Sequence, residues 1–120
     1  MAKNAEARTP GTTTVAPDVL LSIARLTALQ VEGVARMSEA PQKPLRRLTQ
    51  RGHAGHGVRA DITGDLVDLD LHVVLDKDVN VRQVSRQIQQ EVVRAIDEMV
   101  GMRAGTVNIH IEDIFYPPTE

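Results

Sequence analysis

Asn80–Gly101, NVRQVSRQIQQEVVRAIDEMVG, is the stretch whose period decides the fold. Val81, Val84, Ile88, Val92, Ala95, Ile96 and Met99 recur at three- and four-residue steps and share one stripe of a helix, while Arg82, Arg86, Gln89, Gln90, Arg94, Asp97 and Glu98 lie elsewhere on the cylinder. Both ends are marked. Asn80 is placed to accept from the amide of Gln83, whose side chain can reach back in a capping box, and Gly101 suits the left-handed residue that follows a helix.

On either side of this helix the period is two. Val58, Ala60 and Ile62 alternate with Arg59 and Asp61; after the turn Thr63-Gly64-Asp65, Val67, Leu69, Leu71, Val73 and Leu75 alternate with Asp68, Asp70 and His72. That pattern is a β-hairpin with one core face and one polar face. After the helix, Val107, Ile109 and Ile111 alternate with Asn108, His110 and Glu112 in a last strand, so strand, helix and strand predict a right-handed crossover with parallel strands.

Upstream, Pro17 fits the first turn of another helix with Asp18 beside its positive end, and Val19, Leu20, Ile23, Leu26, Thr27 and Gln30 keep helical spacing up to about Gln30, before Gly33. Thr12–Val15 is β-prone and reads as a short edge strand. Val34–Gly57, with its prolines and glycines, reads as a basic loop with one turn of helix at Leu45–Gln50. The expected fold is α+β: a two-layer sandwich of helix, hairpin, helix and strand, in which two helices cover one face of a small mixed sheet of three or four strands. The expected division is a disordered lead-in over 1–10, one domain over 11–116 and a tail over 117–120.

The 120 residues carry 42% hydrophobic residues but one Phe and one Tyr, so the core must be aliphatic. With no Cys, a disulfide, a thiolate nucleophile and Cys-ligated zinc or iron–sulfur are excluded within this chain. The longest apolar runs are a few residues, far below the roughly 20 that cross a bilayer, and the first residues lack the hydrophobic segment of a secretion signal, so a cytoplasmic protein is expected. The net charge of −2 hides an asymmetry: residues 36–60 hold six Lys/Arg against one Glu, and 61–120 hold five against twelve Asp/Glu.

Three places could carry chemistry. The polar side of the sheet gathers Asp68, Asp70, His72, Asn108, His110 and Glu112, with Arg59 and Asp61 beside them. Such a face can be plain solvated surface, can meet a protein partner or second copy, or can bind a metal or small ligand through His72 and His110 with Asp70, if the histidines are neighbours. His53 and His56 sit in RGHAGHG, where a loop would lose entropy on closing around a ligand. Lys43, Arg46, Arg47 and Arg51 could hold an anion, but the acidic remainder and the lack of stacking aromatics argue against nucleic acid. No nucleophile elbow, phosphate-binding loop or dinucleotide glycine pattern occurs, so no catalytic residue and no cofactor is expected.

VAPDVLLSIARLTALQVEGV over Val15–Val34, Gly57-Val58, LVDLDLHVVLD, DVNVRQVSRQIQQEVVRAIDEMVG and VNIHIEDI together resemble the bacterial alkaline shock protein family of Gls-type general stress proteins, also called the envelope stress response family. The resemblance spans about residues 11–115, and the helix end Met-Val-Gly and the closing Val-Asn-Ile-His-Ile are its most telling parts. It implies a compact α/β domain without enzymatic activity, cytoplasmic and peripheral to the inner face of the membrane. It further implies an interaction or scaffold module acting through self-association or a small membrane-protein partner. The element order is also similar to the cluster-carrier domain of iron–sulfur scaffold proteins, but Asp76–Val79 lacks the paired cysteines that family uses, so that likeness stops at the fold.

Overall fold

Leu66–Asp76 is the central strand, β4, and every other layer is built on it. The computed structural model describes residues 11–39 and 52–118. In chain order the elements are α1 (Pro17–Leu29), β1 (Val34–Met37), β2 (Gly52–Gly55), β3 (Val58–Thr63), β4, α2 (Val81–Ala95) and β5 (Arg103–Phe115). β5 runs parallel to β4 from Leu66↔Arg103 to Asp76↔Phe115 and takes one edge whole. The other edge is shared end to end by two antiparallel strands, β3 over Leu66–Leu71 and β1 over Val73–Leu75, and β2 then pairs antiparallel with β3.

The sequence-based order of helix, hairpin, helix and strand is therefore present, as is the parallel crossover through α2. The sheet has five strands where three or four were expected. The two additional strands, β1 and β2, come from the stretch read as loop, and each is only four residues long, too short to show a period. Thr12–Val15 does not form the expected strand; a β-prone composition makes a strand only where an edge is there to pair with it. The helical turn expected at Leu45–Gln50 lies outside the described residues.

α2 begins and ends where its caps put it. The Asn80 side chain accepts from the Gln83 amide at 3.0 Å, and Gly101 closes the C-terminus at φ 76°, its N–H donating to the Ile96 carbonyl. The last turn, Ile96–Val100, widens into a π-helical segment, which keeps Ile96 fully buried but leaves Met99 exposed. The core stripe is thus Val84, Ile88, Val92, Ala95 and Ile96.

α1 turns a different face inward from the one its spacing suggested. Leu20, Leu21, Ala24 and Ala28 are buried, whereas Val19 and Leu26 are 47% and 50% exposed. Two apolar stripes run along this helix, and the alanines let the backbone sit close to the sheet, so packing chooses the smaller pair of residues for the interior.

Both helices lie on one side of the sheet, α1 over β1, β2 and β3 and α2 over β5. Under them Val67, Leu69, Leu71, Val73 and Leu75 of β4 are completely buried together with Val58 and Ala60 of β3. The place where β1 hands over to β3 is tight. His72 donates its N–H to the Gly57 carbonyl at 2.8 Å and accepts from the Ser38 amide at 2.8 Å, so chain segments from both strands converge on one residue of β4. Gly57 sits at φ 80°, and a Cβ there would run into the Ser38 carbonyl oxygen.

Removing the fully buried side chain in Ile88→Ala should cost about 2–5 kcal/mol in urea unfolding. Gly57→Ala should cost at least about 2 kcal/mol, because the left-handed backbone and the steric conflict act together. A Gly57→Ala protein as stable as the parent would show that the junction relaxes freely.

Candidate functional site

The side of the sheet away from the helices gathers all six residues that alternation assigned to it. Parallel pairing sets Asp70 opposite Asn108 and His72 opposite His110, and antiparallel pairing sets Arg59 opposite Asp70 and Asp61 opposite Asp68. Two irregularities in the β4–β5 register complete the arrangement. The one between Val67 and Leu69 brings Thr106 to Asp68, whose Oδ1 accepts from the Thr106 amide at 2.8 Å and from its hydroxyl at 3.1 Å. The one between Val73 and Val74 gives β5 an extra residue, Glu112, which turns back to His72.

At the centre the His72 and His110 rings stack with centroids 4.6 Å apart and planes within 13°. Each imidazole has its own carboxylate: His72 Nδ1 donates to Glu112 Oε2 at 2.7 Å, and His110 Nε2 donates to Asp70 Oδ1 at 3.0 Å. Asn108 Nδ2 donates to the same Asp70 oxygen at 3.1 Å. Burial pushes the Asp70 carboxyl up, but the hydrogen bonds from His110 and Asn108 and the charges of His110 and Arg59 outweigh it, and its pKa lies below the usual carboxylate value. At the end of the sheet Arg103 grips Asp65 through Nε at 3.2 Å and Nη2 at 3.1 Å, a forked contact that lowers the exposed Asp65 carboxyl and raises the guanidinium.

This geometry speaks against chelation by the histidine pair. One nitrogen of each ring is already engaged, and the lone pairs of the others lie in two nearly parallel planes, so they do not converge on a point about 2.0–2.1 Å from both. Among the described residues no group of three or more His, Asp or Glu is placed to hold a metal ion. His53 and His56 are not in a free loop as expected: His53 is in β2 opposite Ala60, and His56, at φ 56°, makes the turn into β3. Lys43, Arg46, Arg47 and Arg51 lie outside the described residues.

Thr106, Asp65 and Arg103 belong to the polar array but were not found by alternation. Gly105-Thr106 breaks the two-residue period because a register irregularity falls there, and a Cβ on Gly105 would collide with the Asp68 carboxylate. The pairing of Arg103 with Asp65 depends on which residues meet across the crossover, which no local pattern states.

Residues 5–116 match the alkaline shock protein 23 family, described by a cell envelope-related function. The chain belongs to that family. It is 29% identical over 105 residues to the uncharacterized protein YqhY of Bacillus subtilis (strain 168), covering 87% of this chain and 77% of that protein. It is 32% identical over 105 residues to the uncharacterized protein Spy1535 of Streptococcus pyogenes serotype M6, covering 87% and 79%. Among solved structures it is similar to MamM-CTD 215-293, with a TM-score of 0.50 at 17% identity over 80% of this chain and 96% of that one. A zinc form of MamM CTD gives 0.51 at 15% identity over 82% and 87%. At these identities the likeness is one of fold. No helix among the described residues is long and apolar enough to cross a membrane.

Because Asp70 is held below its unfolded pKa, it contributes stability that is present above about pH 4 and is lost as pH falls through the folded value. Urea unfolding from about pH 7 to pH 2 should therefore show the stability gap between the parent and Asp70→Asn closing below about pH 4. A gap that is constant over that range would mean that Asp70 titrates alike in the folded and unfolded chain.

Proposed function

We propose that this chain is a non-catalytic interaction module of envelope homeostasis or the stress response, working in the cytoplasm at the inner face of the envelope, and that the open face of the sheet receives a protein partner. The observation that carries this reading is the one-sidedness of the sheet. Its apolar face is covered by two helices, while the other presents an ordered polar array centred on the His72–His110 stack.

The array is held rigid by bonds that use only part of each group. Among the described residues Asp70, Asp68 and Glu112 are each hydrogen-bonded through one carboxylate oxygen, and the second oxygen of each is free for a donor. A fixed set of free acceptors suits a partner segment rich in N–H donors and spares it the entropy of ordering the side chains that it meets. The setting of these groups does not favour catalysis. A histidine held by a carboxylate can act as a base through its other nitrogen, but it needs a cleft that brings a substrate proton within reach, and here both imidazoles lie on the open face of a sheet.

A tagged full-length chain should capture a defined protein from the envelope fraction of its own cells after cross-linking. Combined substitution of His72, Asn108 and His110 by Ala should lower that capture by about tenfold or more, since a central contact worth about 1.4 kcal/mol is one decade of affinity. Circular dichroism would confirm that the variant is folded. Equal capture by parent and variant would remove the open face from the interaction.

A further inference from the structure

The outer edge of β5 is an exposed, self-complementary pairing surface. β5 is thirteen residues long, its inner edge is bonded to β4 throughout, and among the described residues no strand pairs with its outer edge. Proteins blunt such edges with lysine, proline, bulges or a covering element. From Arg103 to Phe115 there is no Lys and no Pro, and the single Arg is committed to Asp65. The register irregularities fall near Thr106 and at Glu112, which leaves Val107–Ile111 as five residues of regular strand. Of its core-side residues only Val107 is buried; Ile109 and Ile111 are half-buried although they face the helical layer. Among the described residues one side chain from outside the strand, Gln89 of α2, bonds to this edge, its amide donating to the Val107 carbonyl at 3.0 Å.

We infer that this edge pairs with β5 of a second copy, antiparallel and centred on Ile109. Four features single out the chain itself as the occupant. A two-fold axis at Ile109 sets Val107 against the partner's Ile111 and Ile109 against its own counterpart, so six β-branched aliphatic side chains form one continuous row. On the polar side it sets Asn108 against the partner's His110. Nowhere along the strand do like charges meet: Glu112 falls opposite Thr106, Asp113 opposite Gly105 and Arg103 opposite Phe115. The two irregular positions, Thr106 and Glu112, lie equally far from Ile109, so the bends of one strand coincide with those of the other. A main-chain amide of the partner then takes over the carbonyl that Gln89 now satisfies.

This inference deepens the interaction-module reading, on which it rests, by naming a second copy as one partner, and its test does not use the envelope partner. The chain has no Cys, so single cysteines report cleanly. Asn108→Cys and His110→Cys both lie at exposed positions and should leave the fold intact. Mixed in equal amounts and oxidised, the two full-length variants should yield about tenfold more disulfide-linked dimer than either alone, because disulfides need Cα atoms roughly 4.4–6.8 Å apart. Sedimentation of the parent should show a dimer, and Ile109→Lys, which sets two ammonium groups face to face on the axis, should shift it to monomer. A monomeric parent, or a dimer in which the mixture links no better than each variant alone, overturns the pairing. Either result leaves capture through the open face standing.

Discussion

The burial of one side of β4 is the constraint on which everything else depends. Five alternate residues, Val67, Leu69, Leu71, Val73 and Leu75, are withdrawn completely from water, each worth about 1.5–3 kcal/mol relative to exposure. A strand cannot bury such a row alone. It needs neighbours on both edges to satisfy its backbone and a layer above to cover its side chains. β5 fills one edge in a single run, while β3 and β1 together fill the other, and the helices supply the layer. The polar side of the sheet follows from the same choice, because the pleat that buries the odd-numbered residues must present Asp68, Asp70 and His72 outward.

How much of this was legible in the sequence depended on whether an element was long enough to show its period. α2 declares itself through 22 residues of one stripe with a cap at each end, and β3, β4 and the middle of β5 declare themselves by strict alternation. β1 and β2 do not. VARM and GHAG are four-residue strands, one with a register irregularity and one with two glycines, and only the neighbours β4 and β3 make them strands. The buried face of α1 was illegible for another reason. Larger side chains at Val19 and Leu26 belong to a stripe that the packing leaves exposed, since the helix approaches the sheet through Ala24 and Ala28.

For the candidate surface, alternation found the membership but not the geometry. It put His72 and His110 on the same face, yet their stacking needs the parallel register that pairs them directly, and the partnership of His72 with Glu112 needs the extra residue in β5. Register is a property of two segments 38 to 40 positions apart, as the separations of these hydrogen bonds show, and local pattern is silent on it. Membership of a family with a cell envelope-related function, together with a shared fold at low identity, gives this surface a context without assigning roles to its residues.

The polar array also has little to do for stability, which bears on why it is there. Exposed ion pairs are typically worth about 0–1 kcal/mol, and His110–Asp70 and Arg103–Asp65 are both open to solvent. The described residues include no fully buried polar or charged residue, so the fold is carried by aliphatic packing on the opposite side. An outer face free of that duty could have been any mixture of soluble side chains. Instead two imidazoles are stacked, three carboxylates are each held by defined donors, and an extra residue in β5 is spent to bring Glu112 home. Order of that kind does not hold the molecule together, and it supports the proposal that this face receives a partner, because groups fixed in advance lower the entropy cost of binding.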